Sequence, residues 1–421
     1  MIRKLLIANR GEIAVRIIRT CRILGITTVV AYSDCDKDTF AVFLADESVC
    51  IGGNKSTESY LNIGNIIDAA KQTGCDAIHP GYGFLSEDAE FAKRVAENGL
   101  LLIGPSWKVL QKTTNKSVMK HLAQSLNIPV IPDADDGQKG PLMAKACHGG
   151  GGMGIRVIDS QSNYDNSVDM ARKEVQESFN HGDIIFEKVI DTYKHIDLQF
   201  LADKSGNISL FPARDCSIQQ NFQKIIEETP ATNIPKNILK KMQRDAINLI
   251  VDTKYDNVGT VEFLLDKDYN YYFLEINSRL QVEHTVSEEA TDIDLVEQQL
   301  RMATGENNSL PNIITAKKHA IECRIRANES GEVSIFNLPS GKDVRLDTYI
   351  YQGYNVKPWY DALIAKVIVS DKDRTRAISK MKTALDETII RGITTNVDEL
   401  YELIDAPSFA DGNYSYFGFK Q

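Results

Sequence analysis

The sequence predicts a mixed protein, α/β in its N-terminal part and α+β beyond it. Three observations carry this reading. Strand-like and helix-like runs alternate through the first hundred residues, the pattern of βαβ units around a parallel sheet. From Lys194 onward the chain turns strand-rich. Between the two, residues 115–190 form a small αβ piece interrupted by glycines, placed where it can move as a lid. The expected units are 1–114, 115–190, 191–310 and 311–421.

The elements follow in order. Residues 4–8 are a short apolar run, hence the first strand. Residues 11–24 carry helical periodicity through Ile13, Val15, Ile17, Ile18 and Leu24. A strand at 27–32, a helix at 60–70, a strand end at 77–79, a helix at 87–98 and a strand at 100–103 complete the first unit. The loop HPGYGFLSE (79–87) falls just after a strand, where parallel sheets bind ligands. Residues 116–126 read as a helix. Strands follow at 142–146, 155–158 and 184–188, with a polar helix before the last. HIDLQFLAD and NISLFPARDCSIQ are strands, 236–251 and 295–303 helices, 319–326 and 361–369 strands, and 375–385 a helix.

The 421 residues allow two or three domains with a large core. A net charge of −10 argues against nucleic acid as the main partner, because a phosphate-binding surface needs a basic stripe. No apolar run approaches the roughly 18 residues that span a bilayer. The start, MIRKLLIANRGE, turns polar too early for a signal peptide. Seven scattered cysteines, with no CxxC pair, exclude a disulfide framework and a structural zinc site. A cytoplasmic protein with reduced thiols is expected.

The stretch FLEINSRLQVEH (273–284) is the most informative. Glu275, Asn277, Arg279, Gln281 and Glu283 occupy every second position, with small or apolar residues between. An extended backbone would set all five on one face. Upstream, TVEFLLDKDYNYYFLEIN reads as a hairpin. If Asp266 pairs with Tyr271, Leu264 faces Phe273 and Glu262 faces Glu275. Two opposed carboxylates repel unless positive charge sits between them. Glu262, Glu275 and Asn277 then form an oxygen-only cluster suited to Mg²⁺ or Mn²⁺.

KACHGGGGMGIRV holds Gly149, Gly150, Gly151 and Gly152 in a row. Glycines let several backbone N–H groups approach one anion. No Lys-Ser or Lys-Thr follows, so this is not a Walker loop. A flap over phosphates fits better, with Lys145 just before it as a point charge and Lys116 a second candidate. EKVI (187–190) ends a strand whose edge can bond an adenine through its backbone while apolar side chains sandwich the ring. His195, Gln219 and Lys224 are polar residues in strand or turn context, each alone better explained structurally.

Together these motifs resemble the biotin carboxylases of the ATP-grasp superfamily. The resemblance runs along nearly the whole chain: ANRGEIAVRIIR (8–19), LADESVCIG, SYLNI, AIHPGYGFLSE, IGP, the glycine run, ARDCSIQ, QKIIEE, GTVEFL, FLEINSRLQVEH, HAIECRI and YDALIAKVI. It implies a Rossmann-like N-terminal domain, an ATP-grasp lid and core, and a mixed α/β C-terminal domain. It also implies a reaction, in which MgATP and bicarbonate yield carboxyphosphate and its CO₂ passes to biotin on a carrier. Glu262, Glu275 and Asn277 would hold two Mg²⁺ or Mn²⁺ ions. Lys116, Lys145 and Gly149 to Gly152 would grip the ATP phosphates. Glu187, Lys188, Ile190 and Leu264 would meet adenine, with His195 and Gln219 near the ribose. Arg279, Gln281, the Val282 backbone and Lys224 would bind bicarbonate, with Glu283 as general base. Arg345, in DVRLDT, would stabilise the biotin enolate beside Tyr82 and Gly83.

The resemblance further implies a separate biotin carboxyl carrier protein, since no Ala-Met-Lys-Met acceptor occurs, and carboxyltransferase subunits, most simply those of an acetyl-CoA carboxylase. Arg16 and Arg19 match the family's dimer-face helix, so a homodimer is expected. The chain departs from the family at His148, Met153 and Phe222, and at Ile23 on the dimer face. Those departures leave a second reading open, a catalytically weakened relative that serves as an assembly or regulatory subunit.

Overall fold

A computed structural model describes residues 2–134, 141–146, 155–158 and 184–416. Among them, the N-terminal sheet is parallel, in the order Glu47–Gly52, Thr27–Ser33, Lys4–Ile7, Ala77–His79, Leu101–Leu102. The helix Gly11–Ile23 is buried over most of its length and packs against Val344–Thr348 and Leu295–Ala303, joining this unit to the rest. Two expected boundaries move because of side-chain caps. Asn62 accepts from the Asn65 N–H, so the helix is Ile63–Gln72, and Asp88 accepts from Phe91, so the next is Ala89–Glu97. The edge strand Glu47–Gly52 was not expected. Glu47 and Ser48 are exposed, and such an edge carries little apolar pattern.

A second sheet is antiparallel throughout, in the order Tyr271–Asn277, Asn257–Asp266, Tyr193–Ala202, Arg214–Gln220, Gln223–Thr229, His319–Arg326, Leu363–Asp371, Val344–Thr348. It runs without a break from the central part of the chain into the C-terminal part, through the pairing of Glu227 with Glu322. The helix Lys236–Thr253 covers one end of it through Met242, Ala246, Leu249 and Ile250. A third, smaller sheet orders Ile155–Ile158, Leu142–Ala146 and Ile184–Lys188. The glycines Gly149, Gly150, Gly151 and Gly152, with His148, Met153 and the expected polar helix, lie outside the described residues. Among the described residues no helix is long and apolar enough to cross a membrane.

Two expectations about the carboxylate hairpin need correction. Glu262 does face Glu275, but by another path. The turn closes from the Asp266 N–H to the Asn270 carbonyl, so Leu265 pairs with Tyr271 and Leu264 with Tyr272, not Phe273. A bulge at Leu274 then restores the Glu262–Glu275 pair. Nor is 273–284 one strand. The strand stops at Asn277, residues 278–283 bend, and a helix begins at His284. The Ser278 N–H leaves the ladder for Glu87 at 2.8 Å, and its hydroxyl bonds Thr113.

Candidate active site

The bend does not scatter the five polar side chains. Glu275 and Asn277 come from the strand, and Arg279, Gln281 and Glu283 from the loop after it. Arg279 bonds Asn277 Oδ1 at 2.9 Å and Glu87 Oε2 at 2.8 Å. Glu87, at the end of HPGYGFLSE, thus clamps both Ser278 and Arg279. Gln281 donates to Glu262 Oε1 at 2.7 Å and accepts from Arg214. Lys116, the first residue of its helix, places its Nζ 3.1 Å from Glu275 Oε2.

Lys224 is the centre of the cluster. Its Nζ lies 2.6 Å from Glu283, 2.9 Å from Asp197 and 3.0 Å from Glu262. Burial pulls the Lys224 pKa down, but Asp197, Glu262 and Glu283 more than offset it and keep the group an ammonium. The same charges act in reverse on the acids. Burial pushes Glu262 and Glu283 up; Lys224, with His195 for the first and Arg324 for the second, brings both below the usual range. His195 Nε2 is 2.8 Å from Glu262, and the Gln219 amide meets its Nδ1 at 2.9 Å. His195 and Gln219 therefore brace Glu262.

Glu262, Glu275 and Asn277 offer only oxygen, and both carboxylates sit beside ammonium groups of Lys224 and Lys116, so positive charge is already required there. The set fits a hard divalent ion. The groups with nitrogen or sulfur donors, His195–Asp197–Glu262 and Asp197–Cys216–Glu283, enclose Lys224 instead, which bonds Asp197, Glu262 and Glu283.

On the small sheet, Glu187 receives Lys145 at 2.6 Å and Lys120 at 2.7 Å. The strand edge expected to read adenine is occupied there: Lys188 N–H bonds Pro132 O, and Ala134 N–H bonds Phe186 O. Ile190 and Leu264 do share an apolar cluster, with Ile131, Tyr193, Phe222 and Tyr416.

Arg345 is not in the site. Its guanidinium bonds Glu288 and Asp347, at 2.7 and 2.8 Å, and reaches Glu289. It shares a shallow pocket with Arg16, Arg19 and Asp294. The sheet order explains the miss: the Arg345 strand lies three places from the Lys224 strand, roughly 14 Å at ordinary strand spacing. Arg324 lies on the adjacent strand. Its Nη2 is 3.0 Å from Glu283 Oε2 and also contacts Glu227, and its charge reaches Tyr82. HAIECRI carries the family resemblance, but its spacing assigns no role to Arg324. The sequence shows only an arginine between two apolar residues, Cys323 and Ile325, which does not rank it above Arg345. Arg214, fully buried and bonded to Gln199, Ser287, Thr260 and Gln281, was also missed.

Tyr82 and Gly83 sit in the loop after Ala77–His79. Asn9 Nδ2 holds that loop through the carbonyls of Pro80, at 2.6 Å, and Tyr82, at 2.8 Å. The Tyr82 hydroxyl donates to Glu12.

Three family models match the chain: biotin carboxylase, N-terminal domain, over 1–110; carbamoyl-phosphate synthase L chain, ATP binding domain, over 110–311; and biotin carboxylase C-terminal domain, over 322–417. Biotin carboxylase 1 of Bacillus subtilis is 40% identical, covering 99% of this chain and 97% of its own. The biotin carboxylase of Haemophilus influenzae is 42% identical over 96% and 95%. Among solved structures, a Campylobacter jejuni biotin carboxylase complex with β,γ-ATP superposes with a TM-score of 0.94 at 39% identity, covering 99% and 98%. The biotin carboxylase domain dimer of Hydrogenobacter thermophilus 2-oxoglutarate carboxylase, in complex with MgADP, ADP and bicarbonate, gives 0.94 at 35%, covering 99% and 96%.

Proposed function

The chain belongs to the biotin carboxylase family, and from that membership we propose that it carboxylates biotin with MgATP and bicarbonate through the cluster around Lys224. The observation that carries this is the setting of Glu283, gripped on one oxygen by Lys224 and on the other by Arg324. A base in that position stays ionised at neutral pH and lies beside two cations that suit an anionic substrate.

Arg279, Gln281, the Val282 backbone and Lys224 hold bicarbonate. Glu283 takes its proton as an oxygen attacks the γ-phosphorus, giving carboxyphosphate and ADP. Lys116 and Lys145 neutralise the nucleotide phosphates, and Lys120 leaves Glu187 compensated when Lys145 turns to them. Gly149 to Gly152 complete that grip in this reading. The ions on Glu262, Glu275 and Asn277 supply charge neutralisation for phosphoryl transfer. Ile190 and Leu264 wall the adenine. Carboxyphosphate gives CO₂ and phosphate; the phosphate takes the ureido N–H proton of biotin, and that nitrogen attacks the carbon of CO₂. Arg324, bonded to Glu283, stabilises the negative charge that develops on the ureido oxygen, with biotin seated beside Tyr82 and Gly83 in this reading. The biotin carrier is a separate carrier protein, carboxyltransferase subunits consume the product, and the working assembly is a homodimer.

The test is ADP release from MgATP and bicarbonate, with and without free biotin. Biotin-stimulated release is expected. Binding of nucleotide with no biotin-dependent turnover would overturn the reading.

A further inference from the structure

Lys366 belongs to none of these roles, yet it is fully buried in the strand Leu363–Asp371, with Ile364, Ala365, Val367 and Ile368 equally buried around it. Its Nζ donates to the Val282 carbonyl at 2.7 Å. Glu12 Oε1 lies 3.2 Å away and Glu322 Oε2 3.9 Å. Each acid leads onward. Glu12 accepts the Tyr82 hydroxyl, and Glu322 accepts the hydroxyl of Thr285. One ammonium therefore touches the 282–285 segment directly and through Glu322, and the 79–83 loop through Glu12.

A buried cation in an apolar strand is a poor way to gain stability, since well-packed hydrophobic residues usually serve as well or better. The carbonyl that Lys366 holds belongs to the peptide joining Val282 to Glu283. Fixing it orients the backbone from which the Glu283 side chain starts. The other arm ends on Tyr82, in the loop after Ala77–His79.

We propose that Lys366 is a positioning residue for the carboxylation, holding the loop that carries bicarbonate and the loop that receives biotin at one fixed spacing. The inference rests on the functional reading above and adds a residue to it. Glu12 is the carboxylate link in this device, and Tyr82 its biotin-side end.

Kinetics of ADP release by the full chain test it, with the KM of each substrate measured separately. Lys366→Met is expected to lower biotin-dependent kcat by roughly 10²-fold, as misplacement of reacting groups does. Its bicarbonate KM should rise about tenfold, a loss of about 1.4 kcal/mol, with the MgATP KM unchanged. Lys366→Arg, which keeps the charge, should recover part of both losses. A folded Lys366→Met with bicarbonate KM and kcat like the wild type overturns the inference. So does an equal rise in the MgATP KM, the mark of general loosening. Should Lys366→Met not fold, Tyr82→Phe decides, because it removes only the hydroxyl on Glu12. A raised biotin KM at unchanged MgATP KM supports the device, and parity with wild type on every constant sinks it. A wild type without biotin-dependent release overturns the functional reading and this inference together. An active wild type beside an unimpaired Lys366→Met overturns this inference alone.

Discussion

Two arginine clusters stand at different places along the same antiparallel sheet, and they are built differently. Around Arg345, the acids are saturated. Both oxygens of Glu288 are bonded, one by Arg16 and the Leu295 N–H and the other by Arg345. Both oxygens of Asp347 are bonded too, by Arg19 and Arg345. Around Arg324, buried acceptors are left over: Glu227 Oε2 and Glu322 Oε1 have no hydrogen-bond partner among the described residues. Buried acids left incomplete in this way need a reason beyond stability. Charge density alone therefore does not mark a site. Around Arg345 the acids are complete and, among the described residues, Arg16 Nε is left without a partner; around Arg324 the acids themselves are incomplete.

Matched substitutions on the two clusters break or sharpen this contrast. Glu283→Gln removes the base but keeps the shape. It should reduce bicarbonate- and biotin-dependent ADP release by roughly 10²–10⁴-fold, and it should also lower Tm because Lys224 and Arg324 lose their shared counter-ion. Glu288→Gln should lose about 3 kcal/mol of stability for the same reason at Arg16 and Arg345, yet keep turnover within a few-fold. Equal activity losses in the two variants would erase the distinction.

The arginines make the next pair. Arg324→Ala should lower biotin-dependent turnover by roughly 10²–10³, the usual effect of removing one preorganised donor. Arg345→Ala should leave turnover near the wild type and lower Tm, as Glu288 and Asp347 lose a partner. A folded Arg345→Ala protein that cannot carboxylate biotin would restore the role that sequence reasoning gave to Arg345.

That misassignment shows where sequence reading ran out. The parallel N-terminal sheet and the strand-rich second half were legible, because alternation and hydrophobic period are local signals; the Glu262–Glu275 opposition was expected from a register that is off by one residue, and it holds through a bulge that no local pattern announces. The five alternating side chains do converge, though on a bend rather than a strand, since period two cannot tell a ribbon from a turn held by Glu87. Arg324 and Arg345 could be ranked only by knowing that His319–Arg326 pairs with Gln223–Thr229 and Val344–Thr348 does not. Strand order is a long-range property, and no spacing within one segment encodes it. The same holds for Lys366, whose partners Glu12 and Val282 are remote in the chain.

A smaller effect is expected on the metal side. Glu275→Gln should raise the Mg²⁺ concentration needed for half-maximal ADP binding by roughly tenfold or more, read by calorimetric titration, and leave metal-free stability little changed. The same change at Glu289, beside Arg345, should leave the Mg²⁺ requirement where it was. A Mg²⁺ dependence that ignores Glu275 would remove that residue from the ligand set.

The smallest expected effect is a slope in stability against pH. Burial pushes the Glu227 carboxyl up, and Arg324 only partly offsets this. A carboxyl whose folded pKa is raised contributes stability that is full below its unfolded value, near 4.5, and is lost as pH rises through the folded value. Glu262 and Glu283 have the reverse sign: depressed in the fold, they contribute above that value and lose the contribution as pH falls through their folded values. Glu227→Gln should therefore gain Tm relative to wild type at pH 9 compared with pH 5, by a few degrees at most. Glu288→Gln should show a flat difference from wild type between pH 5 and 9 and a shrinking one only as pH falls below about 4.5, because Arg16 and Arg345 hold that carboxyl down against burial. Parallel slopes for the two variants would mean that Glu227 is as well satisfied as Glu288, and the line drawn between the two clusters would vanish.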